Sequence, residues 1–328
     1  MEESMCVPEN NKKIILMTGA TGFVGRHFMA ALRNSDKFTV RVAVRNTNSP
    51  FLGGCEEIIS IPDISTSTNW SDALKNCDVV VHAAARVHVM KEEERAPLLE
   101  YRRINVEGTL HLAHQAAKNG VKRFIYISSI KVNGEETKPG TTYSADDIPA
   151  PEDPYALSKY EAEQGLLKLS DETGMQVIII RPPLVYGPGV GGNFQRMIKW
   201  LQKGYPLPLK TINNKRSFVS VYNLVDLIIH CLDASEKNNQ IFLVSDNQDV
   251  STPELLQKVA LALNKPARLI PFPYWILKNL ASIAGKKPEV QRLCGSLQVD
   301  VNKTQELLGW KPKMSIDEAL AKTIQDYA

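Results

Sequence analysis

The chain has 328 residues, 43% hydrophobic and 23% charged, enough to bury a large core as one large domain or two unequal ones. Its 39 basic and 36 acidic residues leave a formal charge of +3 with no long basic block, so nucleic acid is not an expected partner. Extended disorder is not expected either.

The first thirteen residues, MEESMCVPENNKK, are polar and lack the apolar stretch of a signal peptide. Short β-branched runs then alternate with helix-like segments: KIILMTG, a helix from about 23, TVRVAV, EEIISI, CDVVVHAAA, a helix across 97–118, KRFIYISS, a helix from 154, and MQVIIIRP. Strands this apolar are expected to be covered on both faces. Their alternation with helices predicts an α/β fold, a Rossmann-like doubly wound parallel sheet.

After Arg181 the pattern changes to Pro- and Gly-rich loops, shorter helices and an isolated strand-like IFLVSD at 241–246. The expected division is a dinucleotide-binding domain over 1–180 and a smaller substrate region over 181–328, some segments of which return to the first domain. The most apolar tract, LIPFPYWILKNLASIAG at 269–285, is broken by two prolines, Lys278 and Asn279. It falls short of the roughly 20 apolar residues that span a bilayer. A buried or groove-lining helix is expected there, with contact at a membrane surface as the second reading and no integral span.

Cys6, Cys55, Cys77, Cys231 and Cys294 are odd in number, scattered, and without Cys-x-x-Cys or metal-finger spacing. They read as free thiols of a reducing cytoplasm, and no metal is expected.

The strand IILM runs into TGATGFVG. Gly19, Gly22 and Gly25 stand where a chain must turn tightly, approach a pyrophosphate and start a helix packed on the sheet. The second strand ends VRVAVRN, without the acidic residue that would receive the ribose hydroxyls of NAD. Arg45 stands at that end instead: it pairs with a 2′-phosphate, favouring NADP(H) over NAD(H), or is a solvated surface residue. Asp63, after the third strand, either accepts from the adenine amine or caps its loop.

In DPYALSK, Asp153 and Pro154 make a helix start that puts Tyr155 and Lys159 on one face. A nearby ammonium favours phenolate, so the Tyr155 pKa is expected to fall toward the range useful for exchanging a proton with a carbonyl or alcohol. Ser129, ending FIYISS, offers a hydroxyl for the same oxygen, or is a turn residue.

Taken in order, TGATGFVG, HAAA, NVEGT, SSIKVNG, PYALSK, RPPLVYGPG and LLGWKP resemble the extended short-chain dehydrogenases/reductases, especially nucleotide-sugar enzymes near UDP-glucose 4-epimerase. The resemblance covers nearly the whole chain. It implies that Ser129, Tyr155 and Lys159 are the catalytic trio, with Asn105 ordering the proton path. Gly19, Gly22, Phe23, Val24 and Gly25 would lie along the cofactor phosphates, Ala83 and Ala84 beside the adenosine half, and Pro182 near the nicotinamide. Lys159 would also bind the nicotinamide ribose. Asn193, Arg216 and Arg292 look like the contacts to a nucleotide diphosphate in the smaller region. Relatives dimerise through four helices corresponding to 97–118 and 154–170, so a homodimer is expected by resemblance.

Ile130 and Lys131 stand where the family's dehydratases carry an Asp-Glu pair, so dehydration is set aside. What remains is hydride exchange, used once or twice. Arg45, together with VNG in place of the usual VYG, tips the expectation toward an NADPH-dependent reductase of a 4-keto, 6-deoxy UDP-amino sugar, similar to enzymes that make UDP-N-acetylquinovosamine for surface polysaccharide. A UDP-hexose or UDP-N-acetylhexosamine 4-epimerase is the runner-up. A reductase of apolar non-sugar ketones and a non-catalytic NADP sensor are further alternatives.

Overall fold

The structure, a computed structural model, describes residues 12–87, 97–234, 239–283, 285 and 287–327. Its centre is a seven-stranded sheet with all six pairings parallel, in the order β3-β2-β1-β4-β5-β6-β9. The strands are β1 (Lys13–Thr18), β2 (Phe38–Val44), β3 (Glu57–Ser60), β4 (Val79–His82), β5 (Arg123–Ile127), β6 (Gln176–Arg181) and β9 (Gln240–Leu243), with a separate parallel pair formed by β7 (Leu184–Tyr186) and β8 (Phe218–Ser220).

Alternation of side chains across each strand feeds two cores. Ile15, Met17, Val42 and Val81 pack with Phe28 of the helix Phe23–Leu32 and with Leu224 and Ile228 of the helix Val221–Asp233. Leu16, Val80, Phe124 and Ile179 face the other way, onto Leu112 of the helix Thr109–Lys118 and Leu166 of the helix Pro154–Thr173. Strands covered on both faces must be apolar between their ends, which is why 79–81 of β4, 124–127 of β5 and 177–180 of β6 read as unbroken hydrophobic runs. The edge strand β3 departs from that expectation. Among the described residues it is the edge of the sheet, and its Ile58 is exposed.

The strand-like IFLVSD contributes to β9, which pairs with β6 at the edge of the main sheet, so a segment from beyond residue 181 lies in it. One other expectation changes. The helix predicted across 97–118 is helical throughout, but its middle, Arg102–Gly108, is wound as a π-helix between Pro97–Tyr101 and Thr109–Lys118. Such turns are uncommon and gather at functional sites.

A third core joins the helices Gly192–Gln202, Thr252–Ala262 and Ile316–Gln325 through Phe194, Ile198, Leu256, Val259 and Leu320. Capping boxes at Ser251/Glu254 and Ser315/Glu318 fix where two of these helices start. Asp246 ties this layer to the sheet: its carboxylate accepts from the Tyr186 hydroxyl (2.7 Å), the Ser220 amide and Asn223 Nδ2. No described helix is long and apolar enough to cross a membrane.

Of the expectation for 269–285, a buried or groove-lining helix, the buried half is corrected and the groove-lining half stands. The helix Tyr274–Ile283 is not buried; Trp275, Leu280 and Ile283 are exposed, while Tyr274 and Lys278 line a cleft.

Candidate active site

After β1 the chain moves outward to β2 and β3, then crosses back to β4, so the sheet order reverses between β1 and β4. Open parallel sheets place ligands at the carboxyl ends of the strands flanking such a reversal. Gly19 follows β1 there and Ala83 and Ala84 follow β4, with Thr18 and His82 paired at the strand ends.

Gly19 has φ of 76°, and a Cβ on it would lie 2.7 Å from the Ala84 nitrogen. A Cβ on Gly25 would lie 2.1 Å from the Gly19 oxygen. Only glycine allows this packing of loop, helix and neighbouring strand. Gly22 caps the helix Phe23–Leu32 without a side chain, leaving the first-turn amides open for an anion. The loop therefore fits the pyrophosphate of a dinucleotide. Phe23 and Val24 form the first turn, half-buried on the core.

Asn105, buried in the π-helix, receives the Arg86 amide (2.8 Å) and donates to the Arg86 carbonyl (3.1 Å) and to Ser158 Oγ (3.0 Å). Ser158 in turn donates to the Tyr155 carbonyl. One amide thus holds the loop after β4 against the helix that carries Tyr155 and Lys159.

That helix begins as expected: the Asp153 side chain accepts from the Ala156 amide at 2.6 Å and Pro154 occupies the first turn. Asp153 also pairs with Lys131 at 2.6 Å, and Lys131 pairs with Glu135. Lys131 is thereby bound to the helix cap.

Lys159 is buried. Its ammonium donates to the Ile127 carbonyl at 2.7 Å, at the end of β5 and two residues before Ser129, and lies 4.2 Å from the centre of the Tyr126 ring. Burial lowers its pKa to about 7, against the opposing charge of Glu163. Glu163 is already committed: its carboxylate takes a bidentate bond from Arg181 (2.5 Å) and one from Ser128 Oγ, all buried. Arg181 also donates to Asn133, in the VNG segment.

Tyr155 lies edge-on to Tyr101, ring centres 6.0 Å apart. The expected fall in its pKa is not found. Burial, followed by the charges of Asp153 and Tyr101, pushes the phenol above its ordinary value, because a phenolate there would lose water and meet like charge. His82 is fixed between Thr18 (2.6 Å) and Thr109 (2.9 Å) and stacks on Tyr126; burial, then the Lys159 charge, lowers it to about 3 and keeps it neutral.

Pro182 accepts from the Ile130 amide at 3.0 Å, which sets it against the Ser129 segment. Ser129 is half-buried, its Oγ accepting from the Lys131 amide at 3.3 Å. Arg45 is exposed at the end of β2, and Asp63 pairs with Arg103 at 3.0 Å. Burial raises the Asp63 pKa, but the bonds from Arg103 and Ile64 and the charges of Arg103 and Arg45 hold it below the usual range.

Arg216 is half-buried and donates to the Gly295 carbonyl at 2.9 Å, beside a cleft of about 250 Å³ lined by Glu136, Tyr274, Lys278, Val290 and Gln291. Burial lowers its pKa, countered by Glu136 and Glu135. Arg292 is exposed on the helix Lys287–Cys294, and Asn193 is exposed in the first turn of the helix Gly192–Gln202, accepting from Arg196. Among the described residues, no hydrogen bond or ion pair joins either to the trio.

Residues 15–245 match the family described as "NAD dependent epimerase/dehydratase family". The chain is 47% identical over 325 residues to the UDP-glucose 4-epimerase of Vibrio cholerae, covering 98% of each chain. It is 26% identical over 326 residues to the N-acetyl-alpha-D-glucosaminyl-diphospho-ditrans,octacis-undecaprenol 4-epimerase of Escherichia coli O157:H7, covering 95% of this chain and 94% of that one. Among solved structures it resembles MoeE5 in complex with UDP-glucuronic acid and NAD, with a TM-score of 0.76, 26% identity, and coverage of 95% and 98%.

Proposed function

Because the chain belongs to the NAD dependent epimerase/dehydratase family, we propose that it interconverts the 4-epimers of a UDP-hexose or UDP-N-acetylhexosamine. The full-length likeness to the Vibrio cholerae epimerase carries this assignment. It supports the runner-up of the sequence reading over the 4-keto reductase.

Gly19, Gly22, Phe23, Val24 and Gly25 would hold the dinucleotide's phosphates, Ala83 and Ala84 its adenosine half, and Pro182 and Lys159 its nicotinamide half. Bound there, NAD would supply the reversible hydride acceptor that exchange at the sugar carbon requires. Tyr155 removes the proton from the sugar hydroxyl that becomes a carbonyl, then returns it to that oxygen. Ser129 donates a hydrogen bond to the same oxygen. Lys159 supplies the nearby positive charge that stabilises phenolate as it forms, the charge being strongest in effect where water is excluded. Asn105 keeps the tyrosine-bearing helix in register with the loop after β4. Arg216 takes the substrate diphosphate, with Asn193 and Arg292 as further contacts in the region 181–328.

Replacing Tyr155 with Phe tests the assignment. Turnover is expected to fall by roughly 10²–10⁴ with NAD binding retained; undiminished turnover removes Tyr155 from this role.

An NADPH-dependent reductase of a 4-keto UDP-amino sugar, serving surface polysaccharide synthesis, is the second reading, supported by Arg45 at the end of β2. A reductase needs a reductant pool, whereas an epimerase regenerates its own cofactor. We also propose a cytoplasmic homodimer. The Arg102–Glu161 pair and exposed Leu99 mark the face formed by the helices of 97–118 and 154–170, and a monomer in sedimentation would exclude it.

A further inference from the structure

The helix Tyr274–Ile283 turns large apolar side chains to solvent: Trp275 is 66% exposed, Leu280 54% and Ile283 86%. Isolated apolar residues on a surface are ordinary, but three on one short helix form a patch.

The chain segments that flank it are basic, while Glu136 is the acidic residue that shares the cleft with Tyr274 and Lys278. Between Glu172 and Asp226 the sequence has no acidic residue and seven basic ones; between Glu254 and Glu289 it has none and six basic ones. The two stretches are joined in space. Leu207 donates to the Arg268 carbonyl (2.9 Å), Ile270 to the Leu207 carbonyl (3.0 Å) and Lys210 to the Ile270 carbonyl (3.2 Å). Lys203, Lys210, Lys265, Arg268 and Lys278 are all exposed. Tyr205 and Ile270 are exposed among them, with the Lys203 ammonium over the Tyr205 ring.

We propose that this face docks the protein on an anionic lipid bilayer. A helix presenting Trp, Leu and Ile beside lysines and arginines buries its apolar side chains at the acyl boundary while the cations meet the headgroups. A nucleic acid would match the charge but has no use for the aliphatic side chains. A second copy joined through the same face would set basic surface against basic surface. Tyr274 and Lys278 lie on the same helix and line the cleft beside Arg216, so docking brings that cleft to the lipid–water boundary. The inference is independent of the sugar the enzyme uses.

The test is co-sedimentation of the full chain with vesicles of phosphatidylglycerol and phosphatidylethanolamine, against vesicles of phosphatidylcholine alone. Binding to the anionic vesicles is expected to be at least about tenfold stronger and to weaken in high salt. The double variant Trp275→Glu, Ile283→Glu is expected to lose that binding about tenfold or more, with NAD affinity and far-UV circular dichroism unchanged. Equal or absent binding to both vesicles overturns the proposal, as does full binding by the variant. Self-association that the variant abolishes also overturns it, assigning the face to a second copy. None of these readouts needs turnover, so a failure here is separate from a failure of the epimerase assignment.

Discussion

The ammonium of Lys159 rests 4.2 Å from the centre of the Tyr126 ring, in a position from which water is excluded. The ring offers it a weak electrostatic partner, and Glu163, whose charge opposes the effect of burial, is hydrogen-bonded to Arg181 rather than to Lys159. Burial therefore brings its pKa from 10.5 to about 7. The unfolded chain holds this proton more tightly than the folded one. The cost is complete below the folded pKa, shrinks as pH rises toward 10.5, and is gone above it. The stability of Lys159→Met minus that of the wild type should accordingly be greater at neutral pH than at about pH 10, by on the order of a few kcal/mol. Thermal melts of both proteins at the two pH values measure this; a difference that stays constant or grows with pH would contradict the assigned environment.

The Glu163–Arg181 pair is buried on both sides, with Ser128 and Asn133 satisfying further atoms. Arg181→Met strands a buried carboxylate and should cost about 3–5 kcal/mol in urea unfolding. Adding Glu163→Gln should recover much of that loss. A single variant as stable as the wild type would mean that the carboxylate is neutral or reaches water.

Gly25→Ala is sharper than most glycine substitutions, since its Cβ would meet the Gly19 oxygen at 2.1 Å and the obstacle is backbone. The loop must move away from the helix start that offers its amides to the pyrophosphate. NAD affinity, measured by calorimetry, should fall at least about tenfold with the fold retained. Unchanged affinity would place the phosphates elsewhere.

Arg45 separates the two cofactors. A guanidinium paired with a 2′-phosphate is worth about 1.5–3 kcal/mol, so Arg45→Ala should weaken NADP about tenfold or more and leave NAD within about twofold. Equal losses for both would make Arg45 a general surface charge.

The cofactor loop was legible in the sequence because its chemistry is local: three glycines between a strand and a helix, with Asp153 and Pro154 giving an equally local start for the Tyr155 helix. The environment of the Tyr155–Lys159 pair was not, because it is made by distant segments. Lys159 meets Tyr126 and Ile127 from β5, and Glu163 meets Arg181 from β6. A trace of this was present: Arg181 ends the apolar run at 177–180, and Glu163 falls one turn beyond Lys159. The π-helix holding Asn105 left no propensity signal, since its winding follows from packing. The apolar tract at 269–285 leaves a buried and a groove-lining helix both open, because hydrophobic content does not say which face finds a partner.

Incubation of the protein with UDP-glucose, and separately with UDP-N-acetylglucosamine, in the absence of added reductant tests the central claim most directly. Separation of the products should show both 4-epimers approaching a fixed ratio. No epimer from either sugar, together with consumption of NADPH when a 4-keto UDP-amino sugar is supplied, would contradict the epimerase and establish the reductase.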